Sequence, residues 1–271
     1  MIDTQYWNKR RHRIYSDVGG WKVGEAVYSH GYDLLNDLAG SATYMQILSL
    51  NITGRLPSKE LAQWMEVVFS CLSWPDPRIW CNAVGALAGE TKASVVAATT
   101  AGVLAADSEM YGSRPLKYGT EFIQQLLMDY KTGRSLSGLL EEGIKRSRGK
   151  VKFVGYARPI ATGDERVEVL QTKARALGFS VGEHEALGIE VHEYLQQKYS
   201  ETININGYVA AFMSDQGYSP RELYDLAAVS VLAGVEACYL EYSANAYGSY
   251  LPQRCDDVEY IGPNKRPVPL S

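Results

Sequence analysis

The feature that most restricts what this chain can become is the uncharged run from Ala93 to Ala106, Ala-Ser-Val-Val-Ala-Ala-Thr-Thr-Ala-Gly-Val-Leu-Ala-Ala. It is shorter than the roughly 20 apolar residues a membrane span needs, and it is rich in alanine and threonine. It therefore reads as a buried helix. The wider stretch from Trp80 to Met110 is built mostly of Ala, Gly, Val and Thr. Small side chains let helix backbones approach closely, so the prediction is a core helix pair packed on other helices or on a partner subunit. A chain of 271 residues, 46% of them hydrophobic, is large enough to supply the core such a helix needs, as one large domain or two unequal ones.

Helical periodicity continues on both sides. Leu34, Leu35 and Leu38, then Tyr44, Ile47, Leu48 and Leu50, recur at helical spacing from Asp33 onward. Gly54-Arg55-Leu56-Pro57 stops that helix. Ser58 caps the next, predicted from about Lys59 to Leu72 with Leu61, Trp64, Met65, Val68 and Phe69 on one face, and ended by Pro75-Asp76-Pro77. Phe122 to Leu127 and Leu136 to Ile144 read as amphipathic helices. Further helices follow around Val167–Leu177, Ala186–Leu195 and Ile203–Met213, with a final long one from Arg221 to Tyr242. The segment through Tyr28 reads as an irregular arm or short strands, of the kind that covers another subunit. The tail from Leu251 to Pro269 reads as extended. No hairpin chemistry stands out, so the predicted class is all-α, with roughly a dozen or more helices.

Between the small-residue run and the Phe122 helix lies Ser113-Arg114-Pro115-Leu116-Lys117-Tyr118-Gly119. Proline and glycine bracket what reads as a sharp break, with a cation, Lys117, held inside it. Loops braced by helices are where function concentrates. A second glycine- and proline-marked loop, Phe153-Val154-Gly155-Tyr156-Ala157-Arg158-Pro159-Ile160, follows the one strongly basic run, Lys145-Arg146-Ser147-Arg148-Gly149-Lys150-Val151-Lys152. That run is either a solvated turn or a phosphate-binding edge.

Composition excludes other classes. The net charge of -4 leaves no electrostatic footprint for nucleic acid. Trp7 to Arg13 is basic with no apolar stretch behind it, so no signal peptide is expected. Cys71, Cys81, Cys238 and Cys255 lie far apart without zinc-type spacing, as suits reduced thiols in a cytoplasmic protein; neither a metal nor a membrane is expected. The many tyrosines, including those from Tyr239 to Tyr250, suit core packing or an interface.

Taken in order, these motifs resemble the citrate synthase superfamily, particularly its short citryl-CoA lyase-like branch. His30-Gly31-Tyr32-Asp33 with Asp37-Leu38-Ala39-Gly40 is similar to the family's RGYDI..DLAG segment, and Gly54-Arg55-Leu56-Pro57 to its GRLP. Pro115-Leu116-Lys117 stands where the family has GPLHGG. Gly155 to Ile160 with Gly163-Asp164-Glu165-Arg166 stands where it has GFGHPVY…DPRA. Ile205-Asn206-Gly207 resembles NVD, and Leu251-Pro252 through Glu259-Tyr260-Ile261-Gly262-Pro263 resembles the closing RP…YxGP. The resemblance covers nearly all the chain from about residue 24.

It implies a helical homodimer in which a large domain (1–118 and 202–271) and a small one (119–201) flank a cleft that closes over a coenzyme A thioester. In that chemistry an aspartate removes the α-proton, one histidine stabilises the enolate oxygen and a second polarises the acceptor carbonyl. Every one of those positions departs here. Lys117 replaces the first histidine, Ala157 or Arg158 the second, and Asn206 the aspartate. Gly234 and Leu251 stand where the family keeps arginines, with Arg254 close by. None of the four histidines falls at a catalytic position.

An asparagine cannot accept a proton, and loss of a positioned base costs about 100-fold to 10,000-fold. Lys117, Arg158 and Asn206 are all hydrogen-bond donors. A repurposed site would therefore stabilise an enolate or oxyanion without a base, as in decarboxylation or retro-aldol-type cleavage, or would use Lys117 itself as base or amine nucleophile. Arg114, Tyr118, Tyr156 and Arg254 are the candidate substrate-binding residues, and Arg146, Arg148, Lys150 and Lys152 the candidate coenzyme A contacts. The competing reading is an inactive homologue that binds coenzyme A or an anion, or serves as a partner subunit. Plainer roles compete residue by residue: Lys117 paired with Glu121, Arg158 with Asp164 or Glu165, and Asn206 as a helix N-cap.

Overall fold

The structure, a computed structural model, describes residues 4–158, 163–245 and 254–268. It is all-α in class, with twelve α-helices among the described residues. Local sequence sets most of their ends. Thr43 and Gln46 form a capping box ahead of α2 (Tyr44–Thr53), and Ser58 accepts from the Leu61 N–H to start α3 (Lys59–Leu72). Ser219 and Glu222 make a second capping box at α11 (Pro220–Ala227).

The small-residue stretch forms α4 (Trp80–Glu90) and α5 (Val95–Ala106), and both pack on α12 (Leu232–Ser243). Gly85 and Gly89 lie against the α12 backbone. A Cβ added at Gly85 would sit 2.6 Å from the Val235 carbonyl oxygen, and one at Gly89 would collide with that of Tyr239. The helices touch through backbone, which is why this stretch has so few large side chains. Cys81, Ala106, Val231 and Val235 make a small core of their own there. Val96 and Leu104 of α5, Leu87 of α4 and Leu240 of α12 remain exposed, so this layer presents an apolar outer face.

The main core gathers around α10 (Ile205–Asp215), which is buried along almost its whole length. Trp64 of α3 stacks on Phe212 at 4.0 Å and donates its indole N–H to the Leu170 carbonyl of α8 (Glu165–Ala176) at 3.1 Å. Helices α6 (Ser113–Lys131), α7 (Leu136–Arg146) and α9 (Glu183–Tyr199) close the same core.

Four expectations are corrected. Ser113–Gly119 is not a break but the opening of α6, one continuous 19-residue helix. Pro115 is tolerated because the first-turn N–H groups of a helix need no intrahelical partner, and the break falls earlier, at Asp107–Gly112. Arg221–Tyr242 is two helices, α11 and α12, interrupted at Ala228–Val231. Pro220–Ser243 is apolar and long enough to cross a membrane by composition, but the longer of its two helices has 12 residues, short of the roughly 20 a span needs.

The N-terminal segment holds α1 (Thr4–Arg10) and an antiparallel three-stranded sheet, β1 (Gly19–Lys22), β2 (Ala26–Ser29) and β3 (Tyr32–Asp33). Its first hairpin turns at Val23-Gly24-Glu25 with Gly24 at φ 79°, the three-residue, left-handed-glycine loop the sequence reading overlooked. Finally, Asn206 is not an N-cap: Asn204 is, its side-chain oxygen accepting from the Asn206 and Gly207 N–H groups at 2.9 and 3.2 Å. The main core draws on α2, α3 and α6 to α11, apart from the small core of α4, α5 and α12.

Candidate functional site

Three segments far apart in sequence meet at the N-terminus of α10. The loop after the basic run, Val151–Arg158, is pinned there by Asn204, whose backbone N–H donates to the Gly155 carbonyl at 2.9 Å and whose amide donates to that of Ala157 at 2.6 Å. Gly155 has φ 95°, and a Cβ on it would lie 2.6 Å from the Gly207 Cα. Only glycine allows both the conformation and this backbone-to-backbone approach. From the other side, Gly119 of α6 rests against Ala210, the Val154 carbonyl and the Asn206 carbonyl. The close approach requires glycine at 155 and 207, whereas a Cβ at Gly119 would make ordinary contacts.

The third segment is the start of α8. Asp164 caps that helix, has no exposed side-chain surface, and accepts from the Ile205 N–H of α10 at 2.9 Å. Arg166 grips it with two hydrogen bonds of 2.7 Å, while Arg158, 13% exposed, lies 3.8 Å away. Burial pushes the Asp164 carboxyl up, but the Arg166 hydrogen bonds and charge, the Ile205 N–H and the Arg158 charge together hold it below its ordinary value. Arg158 also donates to Glu165 at 2.6 Å, which lowers the Glu165 carboxyl. The result is a buried carboxylate between two arginines, set beside the N-termini of α8 and α10, where backbone N–H groups and helix dipoles favour negative charge.

Asn206 occupies a distinctive place in this arrangement. From Ile205 to Ser214 it is the one residue that keeps part of its surface, and its side-chain amide makes no hydrogen bond among the described residues. The structure thus brings Arg158 and Asn206 to one place. It does not bring Lys117 there. Side chains two residues apart on an α-helix diverge by roughly 200°, so Lys117 points away from the face on which Gly119 meets Asn206. Its ammonium, 37% exposed, pairs with Glu121 at 3.8 Å. The plainer roles weighed for Lys117 and Arg158 are therefore present.

The remaining candidates are scattered. Tyr156 is buried and donates to the Gly188 carbonyl at 3.2 Å; burial raises its phenol. It supports the loop from beneath and does not face solvent. Arg114 is bound by Asp107 at 3.1 Å and Glu109 at 3.3 Å, and Asp107 also accepts from Tyr224. Tyr118 is half-buried next to Lys117, its ring 6.0 Å from that ammonium. Arg254 lies in the exposed tail, its N–H donating to Asp257. Arg146, Arg148, Lys150 and Lys152 are exposed on the turn that leads into the site loop, with Arg146 held 3.9 Å from Glu142. Leu251 lies outside the described residues, as do Pro159 and Ile160.

Sequence reasoning read Asp164 as a family marker and as one possible partner of Arg158, quoted Arg166 only as a marker, and gave Asn204 no role. Asp164-x-Arg166 ahead of an apolar run is a cap with its own counter-ion, and Asn204 directly precedes the first buried residue of α10; capping rules alone point to both.

No family model matches the chain, and no curated protein does. Solved structures do. Citryl-CoA lyase from Hydrogenobacter thermophilus superposes with a TM-score of 0.78 at 23% identity, over 94% of this chain and 97% of that one. ATP citrate lyase from Methanothrix soehngenii, solved with citrate and coenzyme A, gives 0.75 at 16% identity, over 98% of this chain and 45% of its own. Citrate synthase from Thermoplasma acidophilum, in a ternary complex with carboxymethyl coenzyme A and oxaloacetate, gives 0.64 at 15%, over 84% and 59%. At these identities the likeness is one of fold.

Proposed function

We propose that this chain, which has the fold of citrate synthase and citryl-CoA lyase, makes or breaks a carbon–carbon bond on a coenzyme A thioester or a related carboxylic acid. The observation that carries the reading is Asn206: an unpartnered amide on the N-terminal turn of an otherwise buried helix, beside the Arg158–Asp164–Arg166 cluster. Asn206 and Arg158 are donors suited to a thioester oxygen that gains negative charge. Asp164 is committed to arginine and holds the donors in place; it is no proton acceptor.

Chemistry without a base then has to release the carbanion by bond cleavage. In decarboxylation of a malonyl-type thioester, the electron pair of the breaking C–C bond moves into the thioester carbonyl, carbon dioxide leaves, and the enolate takes a proton from water. Lys117, turned to the other face of α6 and paired with Glu121, stands outside this step. The exposed run Arg146, Arg148, Lys150 and Lys152 is placed to meet coenzyme A phosphates, and the apolar outer face of α4, α5 and α12 suits a homodimer. One observation favours a second reading, a coenzyme A- or anion-binding subunit without turnover: both cations, Lys117 and Arg158, already have carboxylate partners.

The test is to incubate the protein with malonyl-CoA, with citryl-CoA, and with acetyl-CoA plus keto-acids, following free thiol and products by mass spectrometry, beside thermal shifts with coenzyme A. Turnover lost in Asn206→Ala and Arg158→Ala supports the enzyme. A thermal shift without turnover selects the binding subunit, and no response to any thioester overturns both.

A further inference from the structure

His192, half-buried on α9, supports the backbone next to the site. α9 ends at Ser200, which takes φ 59°, and the chain then returns toward Asn204. Along this return the Ser200 and Glu201 N–H groups donate to the carbonyls of Gln196 and Leu195, and the Asn204 N–H to that of Gly155. Ile203 differs. Its N–H donates to a side chain, the Nδ1 of His192, at 3.2 Å. Thr202 and Ile203 are buried, where a backbone N–H without an acceptor is costly. An imidazole that accepts at Nδ1 carries its proton at Nε2, so this contact selects one neutral tautomer.

The next residue along is the clamp of the site. Asn204 caps α10 and pins the 151–158 loop through Gly155 at 2.9 Å and Ala157 at 2.6 Å. Ile203 itself lies against Gly207 of α10 and Gly188 of α9. A line of contacts therefore runs from the His192 ring through Ile203 and Asn204 to the loop that ends in Arg158. A protonated imidazole is a donor at both nitrogens, and it would set one N–H against another at Ile203.

The surroundings oppose that proton. Burial lowers the pKa of the His192 imidazole, while Glu193, next along α9, works the other way. Among the described residues neither Glu201 nor any group of α6, α7 or α10 adds a charge to it. The Tyr156 hydroxyl, one turn earlier at the Gly188 carbonyl, stays neutral because burial raises its phenol. The unfolded imidazole, at 6.5, thus takes up its proton before the folded one, and stability falls as pH drops through 6.5 toward the folded value.

We infer that His192 is a positioning residue and the acid-sensitive point of the site: taking a proton at Nδ1, it releases the Ile203 N–H, the 200–204 segment loosens, and Asn204 lets go of the 151–158 loop. The inference rests on the functional reading above only where turnover or coenzyme A binding is measured.

Hydrogen exchange read by mass spectrometry follows peptides covering 200–205 and 151–158 in the full chain, as protection factors between about pH 8 and about pH 5. In the unaltered protein both peptides should lose protection about tenfold or more, with a midpoint below 6.5. His192→Asn offers a carbonyl oxygen that does not titrate, and should keep both protected throughout. His192→Leu should leave both poorly protected at every pH, with circular dichroism confirming that each variant is folded. Protection that ignores pH in the unaltered protein, or an acid loss that persists in His192→Asn, overturns the inference. A loss at 200–205 without one at 151–158 overturns the link to the site. Turnover or coenzyme A binding should share the acid midpoint and lose it in His192→Asn; an unchanged acid limb there also overturns the link. No response to any thioester overturns the functional reading, and the exchange result then judges the clamp by itself.

Discussion

Replacing Asp164 with alanine puts the architecture of the site to its most direct test. The carboxylate is wholly buried, accepts from Arg166 at 2.7 Å twice and from the Ile205 N–H at 2.9 Å, and caps α8. Its removal leaves Arg166, 20% exposed, facing a low-dielectric pocket with its counter-ion gone, and leaves a helix-terminal N–H without an acceptor. Stranding one member of a buried pair costs about 3–5 kcal/mol. Some water reaches Arg166, which reduces this to about 2–4 kcal/mol, the lost cap included. For a chain of this size that is a fall in Tm of about 5–12 °C, read by circular dichroism.

Asp164→Ala/Arg166→Met should recover at least half of the loss, because it leaves no lone charge. The pH dependence has a definite sign. The folded carboxyl lies below its unfolded value near 3.8, so the stability it contributes is present above that value and is lost as pH falls through the folded one. A single-substitution loss under about 1 kcal/mol, or a double variant no more stable than the single, would refute the claim that this carboxylate organises the site.

Three further outcomes are expected. Gly89→Ala forces a methyl into the Tyr239 carbonyl and should cost about 1–3 kcal/mol by overpacking, whereas alanine at Gly133, which has open space, should show only the strain of its positive φ; chemical denaturation compares them. Lys117→Ala should change stability by less than about 1 kcal/mol, since its pair with Glu121 is an exposed i,i+4 contact, and any loss of turnover it causes would then be functional. Glu141 accepts from Lys198, Tyr194 and Tyr199, which draws its carboxyl down from 4.5 to about 2. The gap in unfolding free energy between the native protein and Glu141→Gln should hold steady above pH 4.5 and close as pH falls toward 2.

Most element ends were legible locally. Ser58 and the glycine after α2, read from the sequence, act within one turn of the residues they cap, as do Thr43 and Ser219, which the sequence reading passed over. The amphipathic faces of α3 and α7 were equally plain. The errors have physical causes as well. Pro115 looks like a breaker until its place in the first turn of α6 is known. Asn204 and Asn206 are both cap residues by type, and the Asn204 side-chain oxygen is the one that accepts from the first turn of α10. The 228–231 interruption carries no proline or glycine to announce it.

By itself, the sequence determined the helical class, the small-residue interface and, through ordered motifs, the fold. Those depend on periodicity and capping, which act over a few residues. Tertiary structure alone decided which polar groups share a site. Lys117 and Gly119 are two residues apart, yet helix geometry turns them to opposite faces. Asn206 lies about forty residues beyond Arg158 and Asp164 in sequence, yet the Gly155–Gly207 approach and the Asp164–Ile205 hydrogen bond bring that helix start to them. Direction around a helix and closeness between helices are properties of packing, and no local pattern encodes them.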